Sequence, residues 1–185
     1  MYYFTTISSP VGEMTLAADN GGEHLIGLWL KGQKYHGSTL LSGMTRRDDT
    51  PLFQAARAWL DRYFAGEKPP IAELPLAPIG SAFRQAVWDI LCEIPYGEVI
   101  TYGEIAQKVA KKMAAKQGKA TMSAQAVGGA VGHNPISIII PCHRVIGADG
   151  SLTGYAGGIQ TKVKLLELEG ADMSRMFVPT KGTAL

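Results

Sequence analysis

Cysteine is scarce in this sequence: Cys92 and Cys142 are the only two in 185 residues. Two thiols cannot build a disulfide framework, and neither stands in a zinc-ligand spacing, so no metal and no cofactor are expected. No apolar run approaches the length of a membrane span, and the opening residues MYYFTTISSP place no basic leader before an apolar stretch. A cytoplasmic protein with no membrane partner is the expectation. Charge imbalance is missing too, with 18 Lys and Arg against 16 Asp and Glu. One local absence is informative. Between Glu104 and Asp149 there is no acidic residue, while Lys108, Lys111, Lys112, Lys116, Lys119 and Arg144 all lie there. Such a surface suits phosphate, although a lysine-rich helix also serves as an ordinary solubilising face.

The residues present divide the chain into two regions, giving an α+β fold. Tyr3 to Ser8, Met14 to Ala18 and Leu25 to Leu30 are strand-like runs separated by SPVG and DNGG turn signals. A polar stretch follows through Asp49. Thr50-Pro51 then reads as a helix cap with proline in the first turn, and Phe53, Ala56, Trp59, Leu60 and Tyr63 recur at helical spacing before Gly66. These elements make a small domain, residues 1–75, of antiparallel sheet plus helix. A proline-rich segment, Lys68 to Gly80, leads to a mostly helical domain, residues 76–170, followed by a tail, 171–185.

In the second domain, Ser81 to about Glu93 reads as a helix with Phe83, Val87, Ile90 and Leu91 on one face. Cys92 on it reads as a small buried hydrophobe. Thr101-Tyr102-Gly103-Glu104 fits a capping box that opens another helix. A basic connector, KKMAAKQGKATM, precedes a helix from Ser123 to His133 made almost wholly of small residues. Two helices so arranged suit a helix-turn-helix whose Ala- and Gly-lined member approaches a groove closely; a tightly packed helix pair with no such role is the alternative.

Ser137 to Ile140 is an apolar run consistent with a buried strand, stopped by Pro141 directly before Cys142-His143-Arg144. A free thiol is mostly protonated at neutral pH, so nucleophilic use requires a nearby base or cation. Neighbouring side chains of an extended segment point to opposite faces, so a Cys–His pair here needs a bridging water or a turned backbone. Otherwise the pattern describes a buried cysteine beside a solvent-facing His-Arg pair.

The whole string AVGGAVGHNPISIIIPCHRVIG, followed by GYAGG and a helix ending LLELEG, resembles the 6-O-alkylguanine-DNA alkyltransferases, also called methylated-DNA–protein-cysteine methyltransferases. The likeness is strongest from about Ser81 to Gly170 and includes an intact PCHRV. It implies a ribonuclease-H-like first domain and direct-reversal repair of double-stranded DNA. An alkyl group would pass irreversibly from the 6-oxygen of guanine, less readily from the 4-oxygen of thymine, to Cys142.

By that resemblance His143 is the base for Cys142 through a water, Glu169 orients His143, and Asn134 braces the site. Tyr102 donates to the guanine ring and Lys162 supports the pocket. Backbone N–H groups of Cys142 and of Leu152, Thr153, Gly154 and Tyr155 hold the base, with Tyr155 as wall. Ser123, Gln125, Ala126, Gly128 and Gly129 meet the minor groove while the nucleotide is flipped out; separately from the resemblance, the basic stretch places Lys111, Lys112 and Arg144 on phosphates.

Two departures stand out. Gln125 occupies the position where many relatives carry an arginine that fills the gap left by the base. The connector is also longer and lysine-rich, so Lys111, Lys112, Lys116 and Lys119 are expected to add phosphate contacts that offset the missing charge. A monomer is expected, with cooperative assembly on DNA left open. A lesion-binding relative without activity is disfavoured by Cys142, a Cys–His hydrolase by the basic helices, and a plain DNA-binding regulator by the pocket motifs.

Overall fold

The computed structural model describes residues 1–36, 41–117 and 122–180. The chain forms two compact units, one comprising Met1–Ile79 with Pro135–Ile139, the other Gly80–Asn134 with the chain from Ile140 onward.

The first unit is a four-stranded sheet in the order β3-β2-β1-β4, with one helix. Strands β1 (Tyr2–Ser9), β2 (Gly12–Ala18) and β3 (Leu25–Leu30) are antiparallel, with Ile7 opposite Met14 and Leu16 opposite Leu28. The fourth strand, β4 (Met44–Arg46), pairs in parallel with β1. It falls in the stretch that reads as merely polar: its three side chains carry no alternation, and the edge of β1 supplies the pairing. Every residue of β3 is buried. Its open edge is covered by backbone bonds from Leu25 N–H to Pro75 O, Leu28 N–H to Pro135 O and Ser137 N–H to Leu28 O, leaving no template for another chain there. Helix α1 (Pro51–Phe64) buries Leu52, Phe53, Ala56, Trp59, Leu60 and Tyr63. Thr50 stands at its N-cap in an extended conformation, but its hydroxyl caps nothing.

The expected strand before Pro141 is not formed. Ile136 makes one bridge to Leu28, and the chain then turns: Ile138 adopts φ +70° and Ile139 N–H bonds to Ser137 O at 2.8 Å. Ile136 to Ile140 are nonetheless all buried. A short apolar run reports burial but not backbone shape, and here burial holds a β-branched residue in a region that costs it energy.

The second unit is built on α2 (Ala82–Cys92), α3 (Tyr102–Gln117), α4 (Ala124–Gly132) and α5 (Ile159–Leu168). A short parallel pair, β5 (Ile100–Thr101) and β6 (Val145–Ile146), joins α3 to the turn bearing Cys142. Ser81 and Ser123 accept from Arg84 N–H and Ala126 N–H to cap α2 and α4. The capping box of α3 is formed in both directions, Glu104 N–H to Thr101 Oγ1 at 3.2 Å and Thr101 N–H to Glu104 Oε2 at 2.8 Å. Trp88 Nε1 donates to Ala130 O at 2.9 Å and ties α2 to α4. Cys92 is half-buried rather than sealed.

Much of the presumed connector is helix, because Ala, Lys, Met and Gln are strong helix formers and continue α3 to Gln117. Lys111 and Lys112 are therefore exposed residues of α3, whereas Lys119 and the side chain of Lys116 lie outside the described residues. Beyond α5 the chain returns: Leu152 N–H bonds to Phe177 O, and Ala171, Met173 and Met176 pack on Ile146, Leu152 and Leu166. Among the described residues no helix is long and apolar enough to cross a membrane, and no three His, Cys, Asp or Glu side chains are grouped to hold a metal.

Candidate active site

Cys142–Arg144 form a single 3-10 turn closed by Arg144 N–H to Pro141 O at 3.1 Å. Turning the backbone here brings three consecutive side chains into the interior, where an extended segment would have alternated them. Cys142, His143 and Arg144 are all buried, as is Glu169, the residue that ends α5.

His143 Nε2 lies 2.7 Å from Glu169 Oε1. Arg144 reaches the same carboxylate twice, Nε to Oε2 and Nη2 to Oε1, both at 2.9 Å, and its Nη1 donates to Ile94 O at 2.6 Å. Arg144 is thus buried with three of its five N–H donors engaged inside the protein, where the basic stretch suggested a residue facing phosphate. The backbone N–H of Gly97 also donates to Glu169 Oε2, at 3.1 Å. Gly97 has φ +82°, and a Cβ there would stand 2.8 Å from the Glu169 carbonyl oxygen, so the Pro95-Tyr96-Gly97 turn needs its glycine at this close approach. The sequence marks that turn without indicating what it touches.

Burial pushes the Glu169 carboxyl up, but hydrogen bonds and charge from His143 and Arg144 outweigh it and hold the group well below the usual carboxylate range. With Glu169 ionised, Nε2 carries the imidazole proton and Nδ1 is the basic atom. Nδ1 is buried with no hydrogen-bond partner among the described residues. Burial lowers the pKa of His143, with Arg144 and Lys162 adding to the effect and Glu169 opposing it. The resting imidazole is neutral.

Burial also raises the Cys142 thiol above its ordinary value. The Asn134 side chain, the Lys162 charge and the N–H groups of Cys142 and His143 oppose that rise. Each of these donors favours a negative sulfur. Asn134 additionally donates from Nδ2 to Ile140 O at 2.8 Å, bracing the chain two residues before the thiol. Lys162 is buried on α5, its ammonium donating to Val145 O and, at 2.9 Å, to Thr153 O; burial lowers its pKa to about 8.

The loop after β6 forms the other side. Tyr102 Oη donates to Thr153 O at 3.1 Å, so one carbonyl is held by both Tyr102 and Lys162. Gly154 has φ +74°, and its missing Cβ would stand 3.0 Å from Tyr102 Oη. Tyr155 is buried edge-on to the His143 ring, and its hydroxyl has no hydrogen-bond partner among the described residues. The N–H groups of Thr153, Gly154 and Tyr155 have no partner among the described residues. Two expected base-holding donors are otherwise engaged: Cys142 N–H bonds to Ile140 O and Leu152 N–H to Phe177 O, while the Leu152 side chain is core.

On α4, Ser123, Gln125, Ala126 and Gly129 are exposed and Gly128 is half-buried against Tyr102. Lys111 is exposed on α3, and Lys112 Nζ lies 3.3 Å from Asp89 Oδ2.

Two family models match the chain. The 6-O-methylguanine DNA methyltransferase ribonuclease-like domain covers residues 1–78, and the DNA binding domain of the same name covers residues 82–171. A methylated-DNA–protein-cysteine methyltransferase of Haemophilus influenzae is 42% identical over 90% of this chain and 86% of its own length. One of Mycobacterium tuberculosis is 46% identical over 91% of this chain and 93% of its own. The crystal structure of Mycobacterium tuberculosis OGT in complex with DNA superposes with a TM-score of 0.75 at 42% identity, covering 94% of both chains.

Proposed function

The chain belongs to the methylated-DNA–protein-cysteine methyltransferases, the 6-O-methylguanine DNA methyltransferase family, and we propose that it repairs duplex DNA by drawing the alkyl group from the 6-oxygen of a flipped-out guanine onto Cys142. The observation that carries this reading is a buried, Glu169-bound imidazole next in sequence to a thiol that burial keeps protonated, with the Asn134 side chain and the Lys162 charge opposing that burial.

The reaction is a displacement at saturated carbon. The Cys142 proton passes through a water to Nδ1 of His143, the S–C bond forms as the O–C bond breaks, and the guanine leaves with the electron pair of that bond. Tyr102 Oη turns from Thr153 O, which Lys162 still holds, to donate to the departing ring, and the N–H groups of Thr153, Gly154 and Tyr155 hold it. Lys162 and Asn134 oppose the cost of generating a thiolate in a buried site. The thioether product has no leaving group that water could displace, so each molecule reacts once.

Inside a duplex the target carbon is out of reach, and extrusion of the nucleotide is required. The exposed first turn of α4 offers only small side chains and Gln125, which suits close entry into the minor groove. Gln125 fills the gap left by the base, Lys111 meets a phosphate, and the protein acts as a monomer. The 4-oxygen of thymine is the poorer substrate.

The test is intact-mass analysis after incubation with a duplex holding one 6-O-methylguanine. One methyl per molecule, mapped to Cys142 and absent in Cys142→Ser, is expected. Continued turnover, or methyl elsewhere, overturns the proposal.

A further inference from the structure

Arg144 sits in a basic stretch beside the reacting cysteine, yet it is buried and bonded to Glu169 and the Ile94 carbonyl. We propose that Arg144 is a positioning residue of the transfer reaction. By gripping both oxygens of Glu169 and the Ile94 carbonyl, it cancels the carboxylate charge and keeps the His143 imidazole neutral, with Nδ1 available to the thiol proton. The inference rests on the repair reading above for its consequence, but its physical content concerns the buried cluster alone.

The side chains whose charges must balance here are all buried. A lone buried carboxylate 2.7 Å from an imidazole would draw a proton onto the ring, since the ion pair relieves the unpaired anion. An imidazolium carries hydrogen on both nitrogens, so Nδ1 would become a donor and lose its function as base. With the guanidinium already on the carboxylate, protonating His143 instead leaves the trio with a net positive charge. Lys162, from α5, adds to that penalty.

The other groups facing the cluster do not alter the count. Cys142 is a resting thiol, Tyr155 a neutral phenol, and Tyr96 lies with its ring 5.7 Å from the guanidinium carbon. Gly97 contributes a neutral N–H to Glu169. Only a guanidinium can bind two carboxylate oxygens and a third acceptor in one plane while keeping its charge at every working pH.

The pH dependence follows. Without Arg144 the imidazole holds its proton to higher pH, and the acid limb of methyl transfer moves up with it. The experiment is an imidazole nitrogen-15 titration of the full chain, with His143 assigned by its loss in His143→Gln, for the wild type, R144M, R144Q and R144K. It is paired with single-turnover transfer rates across the same pH range. In R144M and R144Q the His143 titration is expected to rise by about one unit or more, the acid limb shifting equally and the rate recovering on its alkaline side. R144K, which keeps the charge without the fork, is expected to bring the titration most of the way back to the wild-type value.

In R144M/E169Q, where neither buried charge remains, the neutral ring returns. An unmoved His143 titration in R144Q, or an imidazolium at neutral pH in R144M/E169Q, overturns the proposal. So does a rate loss equal at every pH, which is the signature of a purely structural arginine. The titration requires no methyl transfer, so a protein that shows the shift but repairs nothing would sink the repair reading and leave this one standing.

Discussion

His143 Nε2 meets Glu169 Oε1 at 2.7 Å across 26 residues of chain, with neither side chain reaching solvent. This contact fixes which ring nitrogen carries the proton and therefore which one is a base. It also makes the fold sensitive to acid.

The sign of that sensitivity follows from both partners. Burial depresses His143 below its ordinary value near 6.5, and hydrogen bonds hold Glu169 well below 4.5. As pH falls through 6.5, the unfolded chain binds a proton at residue 143 that the folded chain refuses. Below about 4.5 it binds another at residue 169. Stability therefore declines with falling pH, by about 1.4 kcal/mol per unit for each such proton. Urea midpoints from pH 8 to 4 should show this, and His143→Gln should flatten the portion between 6.5 and 4.5.

Lys162 gives the opposite limb. Its pKa of about 8 means that the cation to which the proposed reaction gives a supporting role is lost in mildly alkaline solution. Methyl transfer should fall as pH rises through 8. In Lys162→Met the rate should drop on the order of a hundredfold, with that alkaline fall gone; single-turnover rates against pH are the measurement.

Gly97→Ala tests the turn beneath Glu169. The added Cβ meets the Glu169 carbonyl oxygen at 2.8 Å, in a backbone conformation that L residues avoid. A loss of about 1–2 kcal/mol from the conformation alone is expected, with slower transfer because Glu169 is displaced. Denaturant melts and transfer rates check the two effects separately.

Ile138 reverses the usual order of small residues. Alanine normally stabilises a chain relative to glycine, but φ is +70° here. Ile138→Gly should therefore be more stable than Ile138→Ala by about 1 kcal/mol, although both lose the buried side chain. Equal or reversed midpoints would contradict the strained conformation.

Two lysines on α3 should differ on DNA. Lys111→Gln should reduce the salt slope of binding by about one counterion. Lys112→Gln should change it less, because its ammonium already lies 3.3 Å from Asp89 Oδ2. Binding isotherms at several salt concentrations decide.

Elements with local causes are legible in the order of residues alone. The periodicity of Phe53, Ala56, Trp59 and Tyr63 marks α1 because helical spacing places them on one face. The Thr101–Glu104 box marks the start of α3 because its bonds span only three residues. PCHRV and the string around it point to Cys142 and His143 as candidates. Tertiary structure decided whatever depends on partners distant in the chain. β4 is a strand because β1 lies beside it, and Ser137 to Ile140 is a chain of turns because surrounding core tolerates Ile138 in a costly conformation. Arg144 points inward because a carboxylate 25 residues later and a carbonyl 50 residues earlier satisfy it there. Charge in a sequence indicates that a side chain needs a partner; only the fold determines whether that partner is solvent, phosphate or the protein's own interior.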